Sequence, residues 1–254
     1  MAVKILITFA LDTEFAPWRR LRSFGSVAGM AFPAYESAIG DAAARVVLTG
    51  VGPVPAKRVA AEALKWKPDV CISSGLAGAL RSELRIGEVF VTRSVRELET
   101  GRKIDCNAEL FTTAQKRGVA GVEHLLSMST MVLTAEGKAR LRGMADAVDM
   151  ESFTILSEAS ANSVPTIAIR AISDLADENL PMDFQTFLDE QGGLDRSKVA
   201  RALARAPHKL PGLIRLGRNS RRAAENIAKF LDAYVADIAK RSAPQTELVE
   251  AYQK

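Results

Sequence analysis

Short apolar runs rich in β-branched residues alternate along this chain with amphipathic stretches, and this alternation limits the folds open to it. The runs lack strict period-two alternation, which is typical of strands buried on both faces of a sheet. They occupy residues 4–11, 45–49, 70–74, 87–92, 129–133 and 166–171. Residues 55–67 and 151–161, which lie between such runs, have the pattern of helices. We therefore predict an α/β fold with helices flanking the sheet, in one large domain or two small ones.

Composition excludes several classes of protein. The 254 residues are 48% hydrophobic and 25% charged, which is typical neither of disordered chains nor of collagen or coiled coils. Cys71 and Cys106 lie far apart, without a CxxC or Cys/His cluster, so neither a disulfide framework nor structural zinc is expected. The first apolar run is much shorter than the roughly 20 residues of a membrane span. We expect a cytoplasmic protein.

The chain changes character after Gly192 and Gly193. We predict a core over residues 1–193 and a basic helical C-terminal segment over 194–254 that packs on it. Between positions 196 and 222 there are nine basic residues and no acidic one, so this stretch carries +9 and the rest of the chain −5. The nine are Arg196, Lys198, Arg201, Arg205, Lys209, Arg215, Arg218, Arg221 and Arg222.

Three interpretations of this basic stretch stay open. It is a solvated helical face over the core, or a pair of interfacial helices on anionic lipid at the inner membrane face, or a nucleic-acid surface. No aromatic residues are interleaved with the basic ones, which argues against nucleic acid as a partner.

Several common catalytic motifs are missing. The chain has two histidines, His124 and His208, and no GxSxG elbow or GxxxxGK[ST] loop, which argues against triad hydrolases and P-loop enzymes. The turn Gly50-Val51-Gly52 follows a predicted strand, but Pro55 stands where a dinucleotide-binding turn has its third glycine. We expect no cofactor and no metal.

Carboxylates at the ends of predicted strands remain as candidates. They are Glu14, Asp149, Glu151, Asp174 and Asp177. In an open α/β sheet, ligands bind beyond the carboxyl ends of the strands, so acidic residues from these three segments can converge on one substrate. The alternative for each is a helix cap or a partner of a helix dipole.

Two motifs about 20 residues apart carry a family resemblance. They are Val-Asp-Met-Glu-Ser at 148–152 and Ile-Arg-Ala-Ile-Ser-Asp-Leu-Ala-Asp at 169–177. They resemble the paired signatures of the nucleoside phosphorylase/nucleosidase superfamily, particularly methylthioadenosine/S-adenosylhomocysteine nucleosidases. Segments 49–52, 73–78 and 86–89 add to the resemblance, which runs from residue 4 to about 190. The resemblance implies a single α/β domain with a central mixed, twisted sheet flanked by helices. Segments 132–136 and 210–218 resemble the hopanoid-associated phosphorylase branch, which removes adenine from an adenosyl-hopane lipid.

The resemblance implies cleavage of the N-glycosidic bond of a purine nucleoside, with adenine as the base and a substituent at the 5′ position. Asp174 matches the acid that protonates the leaving base, and we expect burial or a neighbouring negative charge to raise its pKa. Glu151 matches the residue that binds the ribose hydroxyls. The remaining substrate-binding positions that the resemblance implies are Met150, Ser173, Arg170, Phe184, Ala77, Gly78, Val132 and Leu133.

The nucleophile stays open between water and phosphate. Glu14 falls where the nucleosidases place the carboxylate that activates water, which favours hydrolysis. Phosphorolysis needs a cationic pocket, and Leu76 stands where many relatives have serine, although Arg19, Arg20 and Arg22 offer charge from what we expect to be a loop. The rival class is a non-catalytic nucleoside- or lipid-binding module, and release of adenine distinguishes the two. We expect a homodimer or a higher homo-oligomer.

Overall fold

Ten strands form one mixed sheet in the computed structural model, which describes residues 2–189 and 191–242. The strands are β1 (Val3–Phe9), β2 (Gly25–Ser26), β3 (Ala34–Ile39), β4 (Ala42–Leu48), β5 (Val70–Ala79), β6 (Val89–Glu97), β7 (Lys103–Asp105), β8 (Ala120–Ser127), β9 (Ala147–Asp149) and β10 (Thr166–Asp174). Their order is β10-β6-β8-β9-β5-β1-β4-β3-β2, with β7 paired to β6.

Part of this sheet closes on itself. β10 pairs in parallel with β5 and antiparallel with β6, while β9 pairs antiparallel with β5 and in parallel with β8. Strands β5, β10, β6, β8 and β9 therefore form a ring, and β1 to β4 extend the sheet from β5. All nine residues of β10 are buried, as expected for a run without polar alternation. The predicted mixed sheet is confirmed.

Seven helices surround the sheet in the described residues. They are α1 (Asp12–Leu21), α2 (Pro53–Ala63), α3 (Ala108–Gln115), α4 (Ala135–Leu141), α5 (Ser152–Ala161), α6 (Arg196–Arg205) and α7 (Leu210–Ser242). The two helices predicted from spacing are α2, which a 3₁₀ turn follows, and α5. α2 begins with proline, which suits a first turn because that N–H has no partner in the helix.

One predicted strand is wrong. Residues 129–133 are a loop, and the strand of this region is β8, immediately before them. β8 escapes recognition because Gly121, Glu123 and His124 interrupt its apolar pattern. The loop is apolar because Val132 packs on Leu80 and its neighbours.

Helix α7 divides into two parts. Residues 210–222 contain no buried side chain, whereas from Ala223 onwards the helix packs on β10 and α1 and buries Ile227, Leu231 and Tyr234. Asp232 joins it to α1 by accepting from Trp18 Nε1 at 3.1 Å and by an ion pair with Arg22. No helix within 2–189 and 191–242 is long and apolar enough to cross a bilayer. Positions 243–254 of the predicted C-terminal segment lie outside the described residues.

Candidate active site

Glu14 lies in the first turn of α1, which begins almost directly after β1. Its Oε2 accepts hydrogen bonds from the backbone N–H groups of Ala10 (3.0 Å) and Leu11 (3.2 Å), and Oε1 lies 3.4 Å from Leu76 N. Burial raises the pKa of this carboxyl, and the hydrogen bond from Leu11 and the charge of Arg170 oppose the rise in pKa. A carboxylate with a raised pKa is a better base near neutral pH.

Asp174 ends β10 beside Gly78 of β5. Its Oδ1 lies 2.7 Å from the Ser173 hydroxyl, and its Oδ2 accepts from Lys138 Nζ at 2.5 Å. A Cβ on Gly78 would lie 2.9 Å from Oδ2, so glycine leaves the space that this carboxylate occupies. The sequence predicted that Asp174 is buried or lies next to a negative charge. In the structure Asp174 is buried, and its charged neighbour is the positive Lys138.

Glu151 immediately precedes α5, and its Oε1 accepts from Gly52 N at 2.7 Å. Burial, followed by the charge of Asp149, raises its pKa to about 8. Arg170 is fully buried. Its Nε donates to Asp149 Oδ2 at 2.9 Å, its Nη2 lies 2.8 Å from the same oxygen and donates to the Ser73 and Ser152 hydroxyls, and its Nη1 donates to the Ile169 carbonyl. The guanidinium is therefore held by protein groups and compensates the buried Asp149.

The acidic groups converge at one edge of the sheet. Glu14 contacts the backbone of Leu76, and Asp174 fills the space beside Gly78, two residues further along β5. At a rise of about 3.3 Å per residue, these two backbone positions lie roughly 7 Å apart. The charge of Glu14 also raises the pKa of Glu151, which places the third carboxylate within electrostatic range.

A cavity of about 660 Å³ begins beside Glu14 and extends along the first half of α7. Most of its lining is apolar, and its charged groups are Glu14, Arg20 and Arg221. The lining consists of Leu11, Thr13, Glu14, Ala16, Pro17, Arg20, Val51, Leu76, Met131, Phe184, Leu188, Leu194, Leu213, Leu216, Gly217, Ser220 and Arg221. Asp174 does not line this cavity. It borders a second, small pocket, and Leu216 lines both. The cavity therefore lies on the Glu14 side of the site.

A family model for the phosphorylase superfamily matches residues 4–124 and 125–206, most of the chain. The chain belongs to the phosphorylase superfamily. The family resemblance predicted from the sequence is confirmed.

Individual relatives and solved structures agree with this membership. The chain is 30% identical over 213 residues to the 5′-methylthioadenosine/S-adenosylhomocysteine nucleosidase of Haemophilus ducreyi, which covers 74% of this chain and 92% of that protein. The Staphylococcus aureus nucleosidase is 27% identical over 202 residues, which are 70% of this chain and 87% of that protein. The Helicobacter pylori nucleosidase, solved with butyl-thio-DADMe-Immucillin-A, has the same fold: its TM-score is 0.73 at 19% identity, with 93% of this chain and 99% of that chain covered.

The phosphorylase-superfamily fold places the other predicted substrate-binding residues around this edge. Phe184 lines the large cavity, Met150 lies near Gly52, and the Ala77 carbonyl lies 3.3 Å from the Ser173 hydroxyl. The Leu133 carbonyl accepts from Leu180 N at 2.8 Å, which holds the loop after β10 against residues 131–133. Val132 packs in a small apolar cluster. Their role in substrate binding stays a prediction.

The three N-terminal arginines do not form a cluster. They lie on or directly after α1 rather than in a loop. Arg19 pairs with Asp12 at 2.9 Å and Arg22 with Asp232, while Arg20 lines the cavity. In this member of the phosphorylase superfamily, two of the three cations therefore have carboxylate partners already.

One site residue was missed in the sequence. Lys138 lies in α4, 36 positions before Asp174, and no motif that we recognised includes it. Its position next to the candidate acid follows from the packing of α4 on the loop after β10. Only the three-dimensional contact reveals it.

Proposed function

We propose that this protein cleaves the N-glycosidic bond of an adenine nucleoside that carries a substituent at its 5′ carbon. The observation that carries the proposal is the pair of buried carboxylates, Glu14 and Asp174, which lie beside Leu76 and Gly78 of β5. Asp174 protonates the purine as it leaves, Glu151 binds the ribose hydroxyls, and Glu14 activates the nucleophile. The nucleosidases among its relatives are named for 5′-methylthioadenosine and S-adenosylhomocysteine, which are both such nucleosides.

The nucleophile in this proposal is water. Glu14 stands beside Leu76 N, where its negative charge would repel a phosphate dianion. Phosphorolysis needs a cationic pocket for the phosphate. Two of the three candidate arginines have carboxylate partners, so their positive charge is already neutralised. Arg20 alone of the three lines the cavity, which keeps phosphate as the alternative co-substrate.

The test is incubation with 5′-methylthioadenosine in phosphate-free buffer. Adenine release is followed by ultraviolet absorbance, and the sugar product is identified as the free sugar or its 1-phosphate. We expect adenine and free methylthioribose without added phosphate. Strict dependence on phosphate contradicts the role of Glu14, and binding without any release of adenine favours a non-catalytic module.

The Glu14→Gln variant tests the base directly. The amide keeps the size of the side chain but cannot take a proton from water, so we expect kcat to fall by about 10²–10⁴-fold. Circular dichroism and the melting temperature check that the fold is intact. A variant that keeps more than about a tenth of the wild-type rate contradicts the role.

The 5′ substituent in this proposal is large and apolar, as in adenosyl-hopane. The cavity of about 660 Å³ lies beside Glu14, is not lined by Asp174 and is mostly apolar, which suits a hydrocarbon rather than an amino acid. The experiment compares kcat/KM for adenosyl-hopane in detergent with that for 5′-methylthioadenosine and S-adenosylhomocysteine. A preference for S-adenosylhomocysteine contradicts this part of the proposal.

Contact with an anionic membrane surface is part of the same proposal. Leu194, which lines the cavity, and Leu210 and Ile214 are exposed, and all three lie within or next to the basic stretch between 196 and 222 in the sequence. Such a combination is typical of interfacial helices. We expect the protein to sediment with phosphatidylglycerol vesicles at low salt and an Ile214→Glu variant to sediment less. Equal binding to phosphatidylcholine vesicles, or none to either, contradicts the proposal.

We further propose a homodimer or higher homo-oligomer at the cytoplasmic face of the membrane. Val54 at the start of α2 is 80% exposed, and we place it in the proposed subunit interface. Sedimentation velocity gives the mass directly, and a monomer at micromolar concentration contradicts this part of the proposal.

A further inference from the structure

The ammonium group of Lys138 is buried against the carboxylate of Asp174. Lys138 is 1% exposed, and its Nζ lies 2.5 Å from Asp174 Oδ2. The same Nζ donates to the carbonyl oxygens of Leu175 (2.5 Å) and Glu178 (3.2 Å). An unpaired buried ammonium is strongly unfavourable, and these three acceptors match its three N–H donors. The cation is therefore fixed relative to Asp174 before any substrate binds.

We infer that Lys138 is a positioning residue for the general acid: it holds Asp174 and stabilises the carboxylate that remains once the proton has passed to the leaving base. The inference rests on the proposed function and adds a residue that the family resemblance did not include. Its basis is the contact with Oδ2, while Ser173 holds Oδ1 at 2.7 Å. Both oxygens of the acid are thus oriented by donors from the protein.

The proton balance shows where the cation acts. Asp174 first takes up a proton from solvent. The C1′–N9 bond then breaks, its electron pair stays with the purine, and this proton moves to N7, so that neutral adenine leaves and Asp174 returns to the carboxylate that pairs with Lys138. Water adds to C1′ and gives its proton to the Glu14 carboxylate, and exchange with solvent restores both groups. Lys138 keeps its three protons throughout. Because its charge already faces Oδ2, the negative charge that develops there is stabilised without reorganisation.

A purely structural role for Lys138 predicts a different outcome. The bonds to Leu175 and Glu178 also hold α4 against the loop after β10, and loss of that contact alone would disturb every substrate equally. A role at the acid matters only when the leaving group needs a proton. Adenine needs one, whereas 4-nitrophenol leaves as a stable anion and does not.

The experiment compares two substrates that share one sugar, 5′-methylthioadenosine and 4-nitrophenyl 5-methylthioriboside. For Lys138→Met we expect kcat/KM to fall about 100-fold with the adenine substrate, as for removal of a single oxyanion-type donor. We expect a change of less than about threefold with the nitrophenyl substrate, because its departure does not draw on the acid. Lys138→Arg keeps the charge and should restore part of the loss on adenine.

Arg142→Met is the matched control. Arg142 is a cation at the end of the same helix whose Nε donates to the Leu80 carbonyl at 3.1 Å, so it ties α4 to backbone away from Asp174. We expect the ratio of the two rates to stay at its wild-type value in this variant. Equal losses on both substrates in Lys138→Met overturn the inference and leave the proposed function intact.

Misfolding of Lys138→Met and a complete lack of activity in the wild-type protein lead to different conclusions. If Lys138→Met does not fold, the same ratio is measured for Lys138→Arg and Lys138→Gln, and equal losses on both substrates again overturn the inference. If the wild-type protein cleaves neither substrate, the proposed function itself fails.

Discussion

The charged half and the apolar half of the candidate site are held together by different interactions. In the charged half, each carboxylate accepts a hydrogen bond from another segment: Gly52 N bonds Glu151, Leu76 N bonds Glu14, and Lys138 Nζ bonds Asp174. The apolar half is a cavity under the part of α7 that contains no buried side chain. Charge-assisted hydrogen bonds set positions narrowly, whereas apolar contacts tolerate changes of similar volume. We therefore expect substitutions in the charged half to change the rate and those in the apolar half to change substrate choice.

The largest expected effect tests the charged half directly. Asp174→Asn keeps the shape of the side chain but removes the proton that the leaving base takes. General acids of this kind contribute about 10²–10⁴-fold, so we expect kcat for adenine release to fall by at least about 100-fold. The measurement is the initial rate of adenine release, with circular dichroism as the check on folding.

Asp177→Asn is the matched control for this prediction, because Asp177 is an exposed carboxylate of the same motif three positions away. We expect close to wild-type activity from it. Similar losses in both variants would show that the negative charge of the segment matters rather than a proton donor at position 174.

A smaller effect is expected from Gly78→Ala, which keeps the Asp174 residue but puts a methyl group into the space that its carboxylate occupies. The new Cβ would lie 2.9 Å from Oδ2, closer than real Cβ contacts, and Lys138 and Ser173 restrict the movement of that carboxylate. Since small misplacements near the chemistry can cost about 10²-fold, we expect kcat to fall between about 10- and 100-fold. Gly143→Ala, which has nothing within 4 Å, is the control and should keep the wild-type rate. An unchanged rate in Gly78→Ala would show that Asp174 need not be held tightly.

The two halves also differ in how well their residues could be predicted from the sequence. Local pattern predicted acidic candidates at strand ends and at a helix start, because ligands bind beyond the carboxyl ends of the strands in an open α/β sheet. The family resemblance then assigned roles to Glu14, Glu151 and Asp174. The apolar runs were sufficient for the α/β class, whereas the mixed sheet and the choice among the acidic candidates depended on the resemblance.

Contacts between distant segments could not be predicted. The sequence does not show that Lys138 reaches Asp174. Nor does it show that Arg170 donates hydrogen bonds to Asp149, Ser73 and Ser152. Each contact depends on how distant segments pack on or within the closed part of the sheet. The strand predicted at 129–133 failed for a related reason: these residues are apolar because they pack against other loops and a small cluster, not because they pair in the sheet.

The apolar half is tested by Leu213→Trp. Leu213 lines the large cavity and not the small pocket at Asp174, and a larger side chain there reduces the space for a long 5′ substituent. Since one or a few methylenes in an apolar pocket change specificity by about 10–200-fold, we expect kcat/KM for adenosyl-hopane to fall roughly tenfold. We expect the value for 5′-methylthioadenosine to stay within about twofold. Equal losses on both substrates would mean that the halves are not separable, and no loss on either would place the 5′ group elsewhere.

The smallest effect concerns the stability of the charged half. The pKa of Glu151 rises from 4.5 to about 8 on folding, because its burial and the charge of Asp149 disfavour the ionised form. Between these two values the folded protein holds a proton that the unfolded chain has released, so the free energy of unfolding falls as the pH rises. Each unit of pH in this range lowers it by up to about 1.4 kcal/mol, or roughly 3–6 °C in Tm for a chain of this size.

Glu151→Gln separates this effect from the rest of the protein. The amide oxygen can still accept from Gly52 N, but it carries no charge at any pH, so the variant should match the wild type near pH 5 and melt above it near pH 8. Glu83→Gln, at an exposed carboxylate, should follow the wild-type curve throughout. Differential scanning calorimetry of the three proteins from pH 5 to 8.5 provides the comparison. Since Glu151 binds the ribose in the proposed mechanism, the same variant should lose affinity for the nucleoside while gaining stability at pH 8, a trade that is common where a buried charge serves function rather than folding.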